Sequence, residues 1–205
     1  MSVITISREL GSEGDKIADI ICEKLGYCMV GKDMLMDIAQ EAGVDVEAVK
    51  AMEESFVKRA RLVSGEMTSL YRKQATAFEK RGVIDDQTYA TVIQNTMLDY
   101  AREGQALIVG RGGQMILKDF PGALHVRLFA AEEIRAKRLA LREDISEQAA
   151  LRQVLQSDEQ KRQFIRHMFK NADWRNSKYY HLIIDTGRIP PQAAAEMIIT
   201  AATAT

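Results

Sequence analysis

The sequence predicts an α/β fold in which a mostly parallel sheet is covered by helices on both faces. Three observations carry that reading. Five short β-branched or apolar runs, at residues 3–6, 27–30, 106–109, 124–129 and 181–184, each read as a buried strand. Helical patterns alternate with them, as in Ile17, Ile20, Ile21 and Leu25 and again in Ile134, Ala136, Leu139 and Ala140. Finally, 205 residues that are 46% hydrophobic and 28% charged describe one ordinary globular domain. A chain of this size buries roughly 70% of its unfolded surface, so its core needs no metal or disulfide staple.

The first strand enters Ser7-Arg8-Glu9-Leu10-Gly11-Ser12-Glu13-Gly14-Asp15-Lys16 and then an amphipathic helix. Backbone N–H groups and the positive end of a helix dipole converge at such a junction, which suits it to phosphate. Two glycines three apart serve equally well in a plain strand-to-helix turn, so the loop is a weak signal by itself. The pattern G-x-x-x-x-G-K-[ST] is absent. In register with nucleotide kinases, Glu13 stands at the second glycine, Gly14 at the lysine and Lys16 at the hydroxyl that would hold Mg²⁺. Arg8, entering from the strand side, is the more plausible substitute cation, and a solvated arginine is the alternative.

Residues 34–103 break the alternation with helix signals only, and form a helical insertion between the second and third strands. Asp33 can cap its first helix and Asp45 a second. Near its end Tyr89, Val92, Ile93, Met97 and Tyr100 form an apolar stripe, which offers a homodimer contact, and Gly104 closes that helix. Proline is absent before residue 121, as suits long helices.

The third strand runs into Val109-Gly110-Arg111-Gly112-Gly113. Residues just past the carboxyl end of a parallel strand face the ligand crevice, so Arg111 is a candidate anion contact among glycines that permit close approach. After the fourth strand, Arg135, Arg138 and Arg142 fall on one helical face. Ser157 with Gln160 reads as a capping box opening a further helix, with Ile165, Met168 and Phe169 inward and Arg162, Arg166 and Lys170 on another side. Two basic helices suit a lid over phosphates, and a solvated charged face is the alternative for either one alone.

Charge is nearly balanced overall, 28 basic against 29 acidic side chains, but residues 124–178 hold twelve basic and eight acidic ones. The balance argues against a dedicated nucleic-acid binder. No run approaches the ~20 apolar residues of a membrane span, and the first residues lack a secretion leader, so the expected location is cytoplasmic. Cys22 and Cys28 have no C-x-x-C spacing and are expected to be buried reduced thiols.

Taken together, the stretches Ile4-Thr5-Ile6-Ser7-Arg8-Glu9 with Gly11-Ser12 and Gly14, Val109-Gly110-Arg111-Gly112, and 161–186 with Lys161-Arg162, Asp173-Trp174 and Tyr180-His181 resemble the cytidylate kinase-like family of P-loop nucleoside monophosphate kinases. The resemblance spans nearly the whole chain and implies a single domain, a three-layer P-loop kinase core with a five-stranded parallel sheet, a helical insertion at 34–103 that binds the acceptor, and a lid at 132–170. It implies ATP on Gly11, Ser12, Glu13, Gly14, Asp15 and Lys16, acceptor contacts from Asp33 and Arg111, and Arg8, Arg138, Arg142, Arg162 and Arg166 as cations around the transferring phosphoryl group. ATP and Mg²⁺ are the implied cofactors. Gly112 stands where cytidylate kinases carry aspartate, which leaves the acceptor base open. The favoured activity is therefore an ATP-dependent phosphotransferase on a nucleoside monophosphate or similar small phosphorylated acceptor. A nucleotide-binding sensor or partner-binding module with little catalysis is the alternative, and neither membrane nor nucleic acid is expected as a partner.

Overall fold

A computed structural model of the chain describes residues 3–31 and 86–204. Asp33, Asp45 and most of the proposed insertion, up to residue 85, lie outside the described residues.

The described elements are β1 (Val3–Arg8), α1 (Gly14–Leu25), β2 (Cys28–Val30), α2 (Asp86–Glu103), β3 (Ala106–Val109), α3 (Gly113–Ile116), β4 (Ala123–Phe129), α4 (Glu132–Glu143), α5 (Glu147–Met168), a 3₁₀ turn (Ser177–Tyr179), β5 (Leu182–Asp185) and α6 (Pro191–Thr203). The strands form one sheet in the order β2-β3-β1-β4-β5, and every pairing is parallel. β1 is central, so the loop that follows it opens at the middle of the sheet's carboxyl edge.

Successive side chains alternate between the two faces of a strand, and both faces here are covered. Val3, Ala106 and Ile108 pack with Ile93, Met97 and Ala101 of α2 on one side. Ile4, Ile6, Leu107 and Val109 pack with Ile17 and Ile21 of α1 and Ala194 and Ile198 of α6 on the other. The result is three layers. Helices α4 and α5 form a hairpin at the carboxyl edge, joined through Leu139, Ala140, Ala150 and Val154, and Leu10 of the first loop packs against it.

Three expectations change. The helix expected to open at Ser157 opens eleven residues earlier, at Ser146, whose side chain accepts a hydrogen bond from the Ala149 N–H at 3.2 Å. Ser157 lies inside α5, because the buried positions Val154, Asp158 and Ile165 continue one helical stripe straight through it. The apolar stripe offered as a dimer contact is turned inward at Ile93 and Met97, which are 4% and 0% exposed on the protein's own sheet. Cys28 is exposed rather than buried, and Cys22 is half-buried. Burial, with Asp19 and Cys28 nearby, pushes the Cys22 thiol up to about 11, which keeps it protonated and unreactive at neutral pH.

Candidate active site

The loop after β1 is shaped by what packs beneath it. Gly11 has φ 79, and a Cβ there would stand 2.6 Å from the Arg135 carbonyl oxygen of α4, so only glycine lets the loop lie on that helix. Ser12 is fully buried, its hydroxyl donating to the Glu9 carbonyl at 2.7 Å and its N–H to the same oxygen at 3.1 Å. Glu13 caps α1 in the left-handed region at φ 58. Its carboxylate lies 3.7 Å from Arg138 Nη2.

Gly14, at the place of the usual loop lysine, is occupied territory. A Cβ there would lie 2.5 Å from Cβ and 2.8 Å from Cγ of Arg8. Arg8 then turns to Asp15, its Nε donating to Oδ1 at 2.7 Å. Counted residue by residue, the motif's hydroxyl position is Asp15 rather than Lys16, and the carboxylate there is already held by Arg8. Lys16 is exposed on α1.

Arg111 follows β3 directly beside this loop, since the Gly110 N–H donates to Ile6 O of β1 at 2.9 Å and Arg8 Nη1 approaches Gly110. Gly110, Arg111 and Gly112 are all left-handed, at φ 84, 52 and 75. Three such residues in succession make a tight turn that sets the Arg111 guanidinium 5.6 Å from the Phe164 ring of α5. The carboxyl ends of two adjacent central strands thus present an arginine and a loop together.

The two basic helices divide their cations. Arg135 is 1% exposed, and it fastens the hairpin to the core by donating from Nε to Ala130 O at 3.0 Å and from Nη1 and Nη2 to the two Asp158 oxygens at 3.1 and 2.8 Å. It does not share an open face with its neighbours. Arg138 reaches across the loop to Thr186 O at 2.8 Å, and its Nη1 is buried without a partner among the described residues. Arg142 is exposed and pairs with Glu143. Arg162 is exposed, pairing with Glu159 at 2.7 Å, which raises the guanidinium's proton affinity and lowers that of the carboxyl. Arg166 is exposed on the same helix.

A charged cluster under the loop was not anticipated from the sequence. Glu9 is 5% exposed, with Arg127 Nη2 at 3.1 Å and Arg135 Nε at 3.4 Å. Arg175 Nη2 adds a bond to Asp158 at 3.0 Å. Trp174, 1% exposed, carries three cations near its ring: Lys161 at 4.3 Å and Arg127 and Arg175 at 5.1 Å each. Tyr180 donates to the Trp174 carbonyl at 2.6 Å and accepts from Gln114 at 3.1 Å, which holds the tryptophan in place. The available signal was periodicity, because Lys161 falls on the buried stripe of Val154, Asp158 and Ile165.

Among the described residues no three His, Cys, Asp or Glu side chains converge on one point, and Asp15 is engaged by Arg8. There is therefore no cluster among the described residues that would hold Mg²⁺ by protein side chains alone. No helix among the described residues is long and apolar enough to cross a membrane.

Comparison with known proteins agrees with this layout. A family described as the cytidylate kinase-like family matches residues 3–188. No curated protein matches the chain. Among solved structures, an uncharacterized protein from Eubacterium ventriosum is 21% identical with a TM-score of 0.71, each chain covered in full. A gluconokinase from Sinorhizobium meliloti is 15% identical with a TM-score of 0.52, covering 99% of this chain and 92% of its own. A shikimate kinase from Acinetobacter baumannii, in complex with shikimate, is also 15% identical, with a TM-score of 0.50 and coverage of 100% and 94%. At these identities the solved structures share the fold.

Proposed function

The chain belongs to the cytidylate kinase-like family, and from that premise we propose that it transfers a phosphoryl group from a nucleoside triphosphate to a small phosphorylated acceptor. The observation that carries this reading is the adjacency of the β1–α1 loop and Arg111 at the carboxyl ends of β1 and β3. The triphosphate lies on residues 11–16, against the N–H groups at the start of α1, and Arg111 takes the acceptor's phosphate from the neighbouring strand.

Phosphoryl transfer asks mainly for alignment and for neutralisation of charge on the equatorial oxygens. Arg138 is best placed on the loop side, and Arg162 and Arg166 lie exposed on α5. Arg8 organises the loop through Asp15 and Gly14 rather than standing free, and Arg142 is the farthest from a role by its pairing with Glu143. Any Mg²⁺ arrives with the triphosphate, as this ion usually keeps several waters and few protein ligands.

The reading is tested by thermal shift against a panel of nucleoside mono- and triphosphates, followed by product analysis on every hit. Stabilisation by one triphosphate and one monophosphate, with a phosphorylated product, is the expected result. Arg111→Ala should weaken acceptor binding roughly tenfold to hundredfold and triphosphate binding much less, the loss of ~1.5–3 kcal/mol typical of a charge-assisted hydrogen bond. A second reading rests on Glu13, whose carboxylate flanks the phosphate seat. A binding module with little turnover would show the stabilisation and no product.

A further inference from the structure

The loop needs a positive group near the transferred phosphates, and the geometry shows why position 14 cannot provide it. Arg8 fills the space where a side chain on Gly14 would begin, and its guanidinium is bound to Asp15. We propose that Lys161, reaching in from α5, supplies to a triphosphate seated on residues 11–16 the ammonium that the loop lacks. This deepens the phosphotransferase reading and rests on it.

Lys161 Nζ donates to the carbonyl oxygen of Arg8 at 2.7 Å, which puts it at the point where β1 becomes the loop. An ammonium has three donors. The Arg8 carbonyl takes one, the Trp174 ring lies against the group at 4.3 Å, and no carboxylate among the described residues is paired with it. Its acidic neighbours are already committed: Glu9 to Arg127 and Arg135, and Asp158 to Arg135 and Arg175. Four cations, Arg127, Arg135, Lys161 and Arg175, thus surround two carboxylates, and the excess positive charge under the loop suits a polyanion.

A desolvated ammonium without a counter-ion is an unfavourable thing to keep in an unliganded protein. Burial first, then the positive charge of Arg8, holds Lys161 down to about 7, with Glu9 and Asp158 opposing and Arg127 adding to the depression. A bound triphosphate would reverse the balance and draw a proton onto Nζ. Position and spare donors therefore suit a phosphate ligand, and protonation changes in the direction such a ligand requires.

The test uses the full chain and Mg²⁺-ATP as probe. Affinity is read by calorimetry and by the emission of Trp174, the single tryptophan, at pH 7.5 and pH 9, above the range in which the triphosphate itself titrates. Lys161→Met should weaken binding by tenfold or more at pH 7.5 while leaving the unliganded protein's thermal midpoint unchanged or raised. Lys161→Arg, permanently charged, should bind within a fewfold of the parent. Parent affinity should fall more than fivefold between pH 7.5 and pH 9, and that of Lys161→Arg should stay flat. Parent-like binding by Lys161→Met, or a pH profile shared by the parent and Lys161→Arg, overturns the assignment of Lys161 and leaves the loop reading standing. A parent chain that binds no nucleoside triphosphate at all overturns the loop reading and this inference with it.

Discussion

Gly112 shows how far a single position constrains this site. A Cβ there would lie 2.4 Å from Cε2 and 2.6 Å from Cζ of Phe169, and the backbone sits at φ 75. Left-handed geometry costs a side-chain-bearing residue about 1–2 kcal/mol, and overpacking adds typically 1–3 kcal/mol. Gly112→Asp, the residue of cytidylate kinases, should therefore lower the thermal midpoint by several degrees or more, and Phe169→Ala in the same chain should restore part of the loss. Equal midpoints for Gly112→Asp and the parent would show that α5 does not rest on this turn. Gly14 is constrained differently, by space rather than by φ. Gly14→Lys combined with Lys16→Thr would drive Arg8 off Asp15 instead of rebuilding an ordinary loop, so that variant should lose nucleotide affinity rather than gain turnover. Higher turnover in the combined variant would show that Arg8 yields at no cost.

Buried ion pairs behave asymmetrically: removing one partner leaves the other charged and alone. Asp158→Ala leaves Arg135 only its longer pair with Glu9 at 3.4 Å and frees Arg175, and should destabilise the fold by about 3–5 kcal/mol, read by denaturant unfolding. A loss under 1 kcal/mol would mean that Arg135 finds enough compensation in Glu9 and in the carbonyl oxygens of Ala130 and Leu10.

Among the elements, α5 does the most to define the site. One 22-residue helix carries Asp158 and Lys161 beneath the loop and Phe164 against Arg111. Its start is set by Ser146, so Ser146→Ala should cost about 1 kcal/mol of stability. Ser157→Ala, in mid-helix, should change stability by no more than a few tenths, since alanine is the better helix former. The reverse order in thermal unfolding would put the cap back at Ser157.

For the whole molecule, the clearest pH dependence comes from the sheet. His125 of β4 is 3% exposed, pairs through Nδ1 with the Thr5 hydroxyl at 2.8 Å and stacks on His181 at 4.9 Å between ring centroids. Burial, and then the charge of His181, lowers it from 6.5 to about 4. The unfolded chain therefore binds the proton more readily between those values. Stability contributed by neutral His125 is present above pH ~6.5 and lost as pH falls toward 4, with a slope up to ~1.4 kcal/mol per pH unit. Denaturant midpoints measured from pH 7 to 4 should fall accordingly, and His125→Gln should flatten that limb. An unchanged slope in the variant would assign the acid sensitivity elsewhere.

Periodicity and glycine placement were enough to determine the five strands, their parallel arrangement and the loop-to-helix junction, because apolar spacing and backbone freedom are local properties of the chain. The site was legible as a list of basic residues and glycines around two strand ends. Which arginine is free and which is spent was not. Arg135, Arg138 and Arg142 share one helical spacing, yet Asp158 captures the first, Thr186 and Glu13 the second and an exposed pair with Glu143 the third. The loop's own chemistry was equally hidden, for Gly14 appears vacant in sequence and is filled in space by Arg8. Those outcomes depend on partners up to 125 positions apart, as with Arg138 and Glu13. Charges acquire their roles from the distances and desolvation that only tertiary packing decides, and no local pattern encodes either.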